Sequence, residues 1–355
     1  MVGASEPGRA RPPAFGISWV VEDIARYGDL VRRCEDAGFS LLGVPDTQAG
    51  VYREMVAAMT IAAQATENLA IASMVTNPLS RTVAVAAAAF ATLAELAPGR
   101  IAMGIGVGDS GVLKQGLRPA RQDDLLRFMT EFRQWLNDAT DVDLSTAAVA
   151  GGARYVGGLP WARGSVPILV AAEGPRRMAF AGRYGDGALL AGDNDPAGIG
   201  RVNAALAQAR AERPDPAGEF SVWRLMRVCI ADSREEALRT TAPAIAAAAH
   251  HAYRYGTQWQ QIPDRLVPAL DELKRSYVVG VHNLFGQHNP NGALLTSLGL
   301  TEELAPRFSI AGTAPECAEQ LRTLAENGAD RIVVRPITRD PWHFLKQWDD
   351  VRELL

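Results

Sequence analysis

The sequence predicts an α/β protein built as a (β/α)8 TIM barrel, on three observations. Eight short apolar runs are spread along the chain, most of them followed by a segment of helical spacing, whereas a doubly wound sheet would more often stop at five or six strands. The runs are flanked by glycine, proline or polar breakers, as buried parallel strands are. Polar or glycine-rich residues follow the runs directly, which is where a barrel carries its site.

The clearest unit is Leu69 to Asp109, LAIASMVTNPLSRTVAVAAAAFATLAELAPGRIAMGIGVGD. Its apolar runs Leu69 to Val75 and Ile101 to Ile105 enclose Val83, Ala86, Phe90, Leu93 and Ala97 at helical spacing, a strand, helix, strand pattern. Ahead of it, Phe15 to Val21 reads as the first strand. Asp23 to Ala37 reads as a helix stopped at Gly38, Leu41 to Val44 as the second strand, and Tyr52 to Thr66 as the next helix. Beyond it, Asp123 to Leu136 has a helical face, and residues 138–165 form an irregular, glycine-containing excursion. Pro167 to Ala172, Gly187 to Ala191, Phe220 to Ile230 and Arg331 to Val334 are the remaining strands. Helices follow at Arg177 to Tyr184, to about Arg213, at Arg234 to Ala249 and at His343 to Leu355.

Residues 1–13 read as a mobile tail ahead of one barrel domain over 14–355. Residues 250–310 break the alternation and carry Tyr253, Tyr255, Trp259, Tyr277 and Phe285. They read as an insertion whose aromatics either wall a substrate or pack a core.

At 355 residues and 48% hydrophobic content the chain can bury a large core. A net charge of −4 with mixed signs gives no field for nucleic acid or an anionic membrane, and no apolar run has membrane-spanning length. Cys34, Cys229 and Cys317 lie far apart, outside disulfide-framework or zinc spacing, which fits a reducing cytoplasm. The histidines at 250, 251, 282, 288 and 343 match no metal motif, and His250-His251 read as cap or surface residues.

The strand-end residues are Asp46, then Thr76-Asn77-Pro78, then Gly106-Val107-Gly108-Asp109-Ser110, then Glu173-Gly174-Pro175-Arg176, then Asp193-Asn194. Gly104, Gly106 and Gly108 permit close backbone approach to a phosphate or ring oxygen, although a tight strand-to-helix turn needs the same glycines. Gly174 with Arg176 and Arg177 at a helix start adds dipole and charge. Asp46 and Asp109 are the candidate catalytic residues, as general acids or cofactor-facing acceptors, although for either alone a helix N-cap is the reading that starts ahead. GIGVGD lacks the third glycine of the dinucleotide fingerprint, having Asp109 there, and follows the fourth strand rather than the first. Gly108-Asp109-Ser110-Gly111 echoes a serine nucleophile loop, but no histidine precedes His250.

Five stretches in order carry a family resemblance: TNPLSR (Thr76 to Arg81), ATLAELAPGRIAMGIGVGDS (Ala91 to Ser110), GLRPA (Gly116 to Ala120), VPILVAAEGPRRMAFAGRYGDGALLAG (Val166 to Gly192) and IAGTAPECAEQLRTLAENGADRIVV (Ile310 to Val334). With them the chain resembles the bacterial luciferase-like flavin and deazaflavin oxidoreductases, most of all the methylenetetrahydromethanopterin reductase branch. The resemblance implies a tricyclic cofactor across the strand ends and a non-proline cis peptide at Met74-Val75 backing it. It implies cofactor contacts from Met74, Val75, Thr76, Asn77, Gly106, Val107, Gly108, Asp109 and Ala172, with Glu173, Gly174, Pro175, Arg176 and Arg177 at the phosphate end. It also implies a homodimer.

Asp46 matches an acidic position near the ring, but Thr47 stands where many relatives have histidine, so no catalytic imidazole carries over. Coenzyme F420 is the expected cofactor, passing hydride to or from a small substrate with a C=C or C=N bond; FMN is the alternative, since it supports both hydride and oxygen chemistry. The FMN reading makes the chain a monooxygenase supplied by a partner flavin reductase. A barrel that only binds a ligand is the non-enzymatic alternative.

Overall fold

A computed structural model describes residues 13–48, 50, 52–137, 159, 161–162, 166–192, 194–213, 215–216, 218–253, 261–281 and 289–355. Its strands are β1 (Ala14–Ser18), β2 (Leu41–Val44), β3 (Ala70–Ser73), β4 (Ile101–Ile105), β5 (Ile168–Ala171), β6 (Gly187–Leu190), β7 (Ser221–Ile230), β8 (Ser309–Gly312) and β9 (Arg331–Pro336). They run in the order β6-β5-β4-β3-β2-β1-β9-β7-β8, and β6 also pairs β7, so eight strands close the (β/α)8 barrel that the sequence predicts. Leu41–Val44 and Gly187–Leu190 are buried at every residue, the continuous burial of strands covered on both faces.

The chain divides into two compact units. In the unit of Gly16–Leu190 and Ala205–Ser221, each strand pairs in parallel with the next, for example Leu41 with Ala70 and Met103 with Ile168. The helix Val83–Leu96 follows from its alanines, the best helix formers, and buries Ala86, Ala87, Phe90, Ala91, Leu93 and Ala94. It ends at Ala97-Pro98-Gly99, where Gly99 takes φ +74°, and Phe90 meets Phe132 edge-on at 5.8 Å. The first helix is Tyr27–Asp36, shorter than the sequence suggests, and is closed by Gly38 at φ +82° as expected.

In the other unit, Met1–Phe15, Ala191–Ala204 and Val222–Leu355, β7 carries β9 on one edge and β8 on the other. β8 is a correction, because its sequence SIAG has one β-branched residue and follows the helix Thr301–Phe308 without a turn signal. Within the 250–310 region, the helices Val267–Ser276, Pro290–Ser297 and Thr301–Phe308 share an apolar cluster with Arg234–Tyr253. Tyr253 and Tyr277 are buried in it, Tyr253 against Phe308 at 5.6 Å, so packing explains these two aromatics. Tyr255, Trp259 and Phe285, the tail 1–12 and nearly all of the 138–165 excursion lie outside the described residues. Among the described residues no helix is long and apolar enough to cross a membrane.

Cys34, Cys229 and Cys317 are buried free thiols, and burial first of all pushes Cys34 and Cys317 up to about 12 and raises Cys229. The native protein is therefore expected to show no thiol reactive to a disulfide reagent at neutral pH, and all three after unfolding. A fast-reacting native thiol would contradict this burial.

Candidate active site

The loops after β2, β3 and β4 converge on Asp46. This carboxylate is buried and accepts three hydrogen bonds: from Gln48 Nε2 at 2.5 Å to Oδ1, and from Thr76 Oγ1 and Arg81 Nη1, both at 2.6 Å, to Oδ2. The helix downstream begins at Met55 with Glu54 as its N-cap, so Asp46 is not a cap. A buried carboxylate needs such partners, since desolvation without them costs several kcal/mol, roughly. Arg81 forks, its second nitrogen donating to Glu54 Oε1. Burial works against the Arg81 guanidinium charge, but hydrogen bonds and charge from Asp46 and then Glu54 outweigh it and raise its pKa.

The Met74-Val75 peptide is cis, as the resemblance implied. Pairing with β4 resumes beyond it, where Thr76 bridges Ile105, Thr76 N donates to Gly104 O at 2.9 Å, and Gly106 N donates to Thr76 O at 3.0 Å. Gly106 is where three strand ends meet, for a Cβ there would lie 3.2 Å from the Ala171 Cβ and 3.4 Å from Val75 Cγ2. Thr76, Val75, Gly106 and the end of β5 thus lie together. Asn77 sits beside Gly108, but its amide serves its own loop, accepting from Leu79 N and Ser80 N and donating to Ser80 Oγ at 2.8 Å.

The backbone carbonyl of Asp109 accepts from Val112 N and Leu113 N at the start of the helix Ser110–Leu113. The three glycines separate: Gly104 is required by the carbonyl of Ser73, and Gly108 takes φ +88° with Val112 against it. Packing within the protein therefore accounts for both. At β5, Ala172 is buried and its N–H bonds Leu189 O at 2.9 Å. Glu173 and Gly174 then lead into the helix Pro175–Tyr184, which has no side-chain cap. Gly174 takes φ +75° with open space at its Cβ position, and Pro175 and Arg176 are exposed.

The sequence reading missed Gln48, Glu54, Ser80, Arg81 and Gln115. Gln48 Oε1 accepts from Gln115 Nε2 at 2.8 Å and from Ser80 Oγ at 3.5 Å, so one amide links the loops after β2, β3 and β4. Arg81 had a signal, as the terminal cation of TNPLSR; the glutamines had none, being exposed polar residues in loops. His250 lies in the last helical turn of Arg234–Tyr253 and stacks on Tyr277 at 4.0 Å, while His282, His288 and Asp193 lie outside the described residues.

A closed barrel whose strand-end loops carry a buried polar network is the framework of a barrel enzyme, with its site at that end. More particularly, the chain belongs to the luciferase-like monooxygenase family, whose model matches residues 4–331. It is 25% identical over 326 residues to 5,10-methylenetetrahydromethanopterin reductase of Archaeoglobus fulgidus, covering 90% of this chain and 92% of that one. F420-dependent glucose-6-phosphate dehydrogenase of Mycolicibacterium smegmatis is 36% identical over 176 residues, 45% of this chain and 51% of that one. In fold it is similar to the coenzyme F420 dependent tetrahydromethanopterin reductase from Methanopyrus kandleri, with a TM-score of 0.74 at 19% identity over 97% of this chain and 99% of that one.

Proposed function

We propose that the protein is an F420-dependent oxidoreductase that transfers hydride between the deazaflavin and a small organic substrate, reducing a C=C or C=N bond or running the reverse. The observation that carries this reading is that loops following four consecutive strands, β2 to β5, hold both features a phosphorylated ring cofactor needs. At β2 and β3 the Asp46 network gives a fixed polar wall, and after β5 the uncapped helix start at Gly174 gives backbone N–H groups and positive charge for an anion. The resident residues fit the group, because the N-cap Gly174 has no side chain and leaves its Cβ space open.

In this reading Arg176 and Arg177, with Gly174 and Pro175, hold the phosphate end. Val75, Thr76 and Gly106 border the ring, and Asp46 orients ring or substrate through Thr76, since its buried oxygens already accept from Gln48, Thr76 and Arg81. Bound there, the deazaflavin supplies a carbon centre that gives or takes hydride without activating oxygen. The printed name of the relative from Mycolicibacterium smegmatis, an F420-dependent dehydrogenase, favours F420 over FMN.

The test is a fluorescence titration of the purified protein with F420 and, separately, FMN. Saturable quenching by F420 with little by FMN is expected. The reverse outcome supports an FMN monooxygenase fed by a partner reductase, and binding of neither leaves a barrel that only takes some other ligand.

A further inference from the structure

The conformation at the end of β3 is tied to the start of the helix that precedes that strand. Glu54 Oε2 caps the helix Met55–Ala65 by accepting from Ala57 N at 2.8 Å, and its other oxygen holds Arg81. Arg81 reaches from there to Asp46 Oδ2, the same atom that accepts from Thr76 Oγ1. The side chain of Asp46 is 1% exposed, that of Arg81 14%, and that of Glu54 52%, so one guanidinium neutralises a fully buried carboxylate from an anchor at the surface.

Two consequences follow from the chemistry of these groups. An ionised Asp46 has no hydrogen to give, so the one hydroxyl hydrogen of Thr76 is committed to it, and any further bond that hydroxyl makes is as an acceptor. Thr76 is also bonded through its own N–H and C=O to Gly104 and Gly106, so fixing its side chain fixes the junction of β3 and β4 beside Val75.

We propose that Arg81 is a positioning residue for the ring cofactor, acting through Asp46 and Thr76 rather than by contact. The inference rests on the oxidoreductase reading of this site and names the residue that shapes its β3 wall. Arginine is specified because a planar fork can hold two carboxylates at once, whereas lysine offers a single compact charge.

The experiment compares wild type, Arg81→Met, Arg81→Lys, Asp46→Asn and the double variant Arg81→Met/Asp46→Asn, each titrated with F420 and FMN and each melted without ligand. Arg81→Met strands the buried carboxylate, so it is expected to lower the melting temperature and to weaken cofactor binding by roughly tenfold or more. The double variant, having no buried charge to strand, should melt close to wild type yet keep the weakened affinity. Arg81→Lys should recover part of that affinity. Arg81→Met binding as tightly as wild type overturns the proposal. So does a double variant that regains melting temperature and affinity together, because Arg81 would then serve stability alone. Failure of the parent reading looks different: the wild-type chain would bind neither cofactor.

Discussion

Gly104→Ala is expected to cost roughly 3 kcal/mol or more of stability, or to leave no soluble protein. A Cβ at this position would lie 2.0 Å from the carbonyl oxygen of Ser73 and 2.8 Å from Leu189 Cδ1. The first obstacle is backbone and cannot rotate away. It is also pinned, because Ser73 Oγ donates to Gly104 O at 2.8 Å and Thr76 N donates to the same oxygen at 2.9 Å. Relief requires β3 and β4 to part where the candidate site is built. Urea unfolding of the variant against wild type measures the loss, and equal midpoints would refute so close an approach.

Gly174→Ala is the control within the same comparison. It meets open space and costs only its backbone conformation, φ +75° with ψ 164°, about 1 to 3 kcal/mol, although it lies at the proposed phosphate end. Gly108→Ala falls between, meeting Val112 Cγ2 at 2.3 Å with φ +88°. A bulky residue at position 108 would therefore disturb its own loop whether or not a ligand touches it.

These glycines show how far the sequence can be read. Gly104, Gly106 and Gly108 form one evenly spaced series and suggest one purpose, yet the first admits a strand crossing, the second lies where three strand ends meet, and the third turns a loop. Spacing records that Cβ is absent and not which atom displaces it. The strands fared better, since continuous burial writes itself as short apolar runs between breakers, and only the four-residue SIAG strand escaped. Asp46 was legible because it directly follows β2. Its grip on Thr76 and Arg81 was not, as the three meet across 30 and 35 residues of chain by the register of β2 against β3.

Arg224 lay inside an apolar strand with no motif around it, and its removal should rank beside that of Gly104. The side chain is 2% exposed and among the largest fully buried ones. Its guanidinium donates to Asn203 Oδ1 at 2.7 Å and to Asn194 Oδ1 at 3.4 Å, and Asn194 in turn donates to Gly192 O and Met226 Sδ, holding the loop after β6. Arg224→Ala opens a cavity and strips donors from both amides, for an expected loss of about 3 to 5 kcal/mol. Arg224→Met retains most of the stem and sheds a buried charge, so about 1 to 2 kcal/mol is expected.

The pH dependence separates charge from volume. Burial lowers the Arg224 pKa to about 10, well below the ordinary guanidinium range, the charge of Asp330 offsetting only part of that. A base lowered on folding costs stability wherever both states are protonated, and the cost fades as pH rises above about 10, where the unfolded chain alone keeps its proton. Wild type should therefore gain on Arg224→Met above about pH 10, while the difference between them stays constant around neutrality. Urea midpoints for wild type and both variants at about pH 8 and about pH 11 measure this. Arg224→Ala as stable as Arg224→Met, or a difference that ignores alkaline pH, would show that the guanidinium is not desolvated.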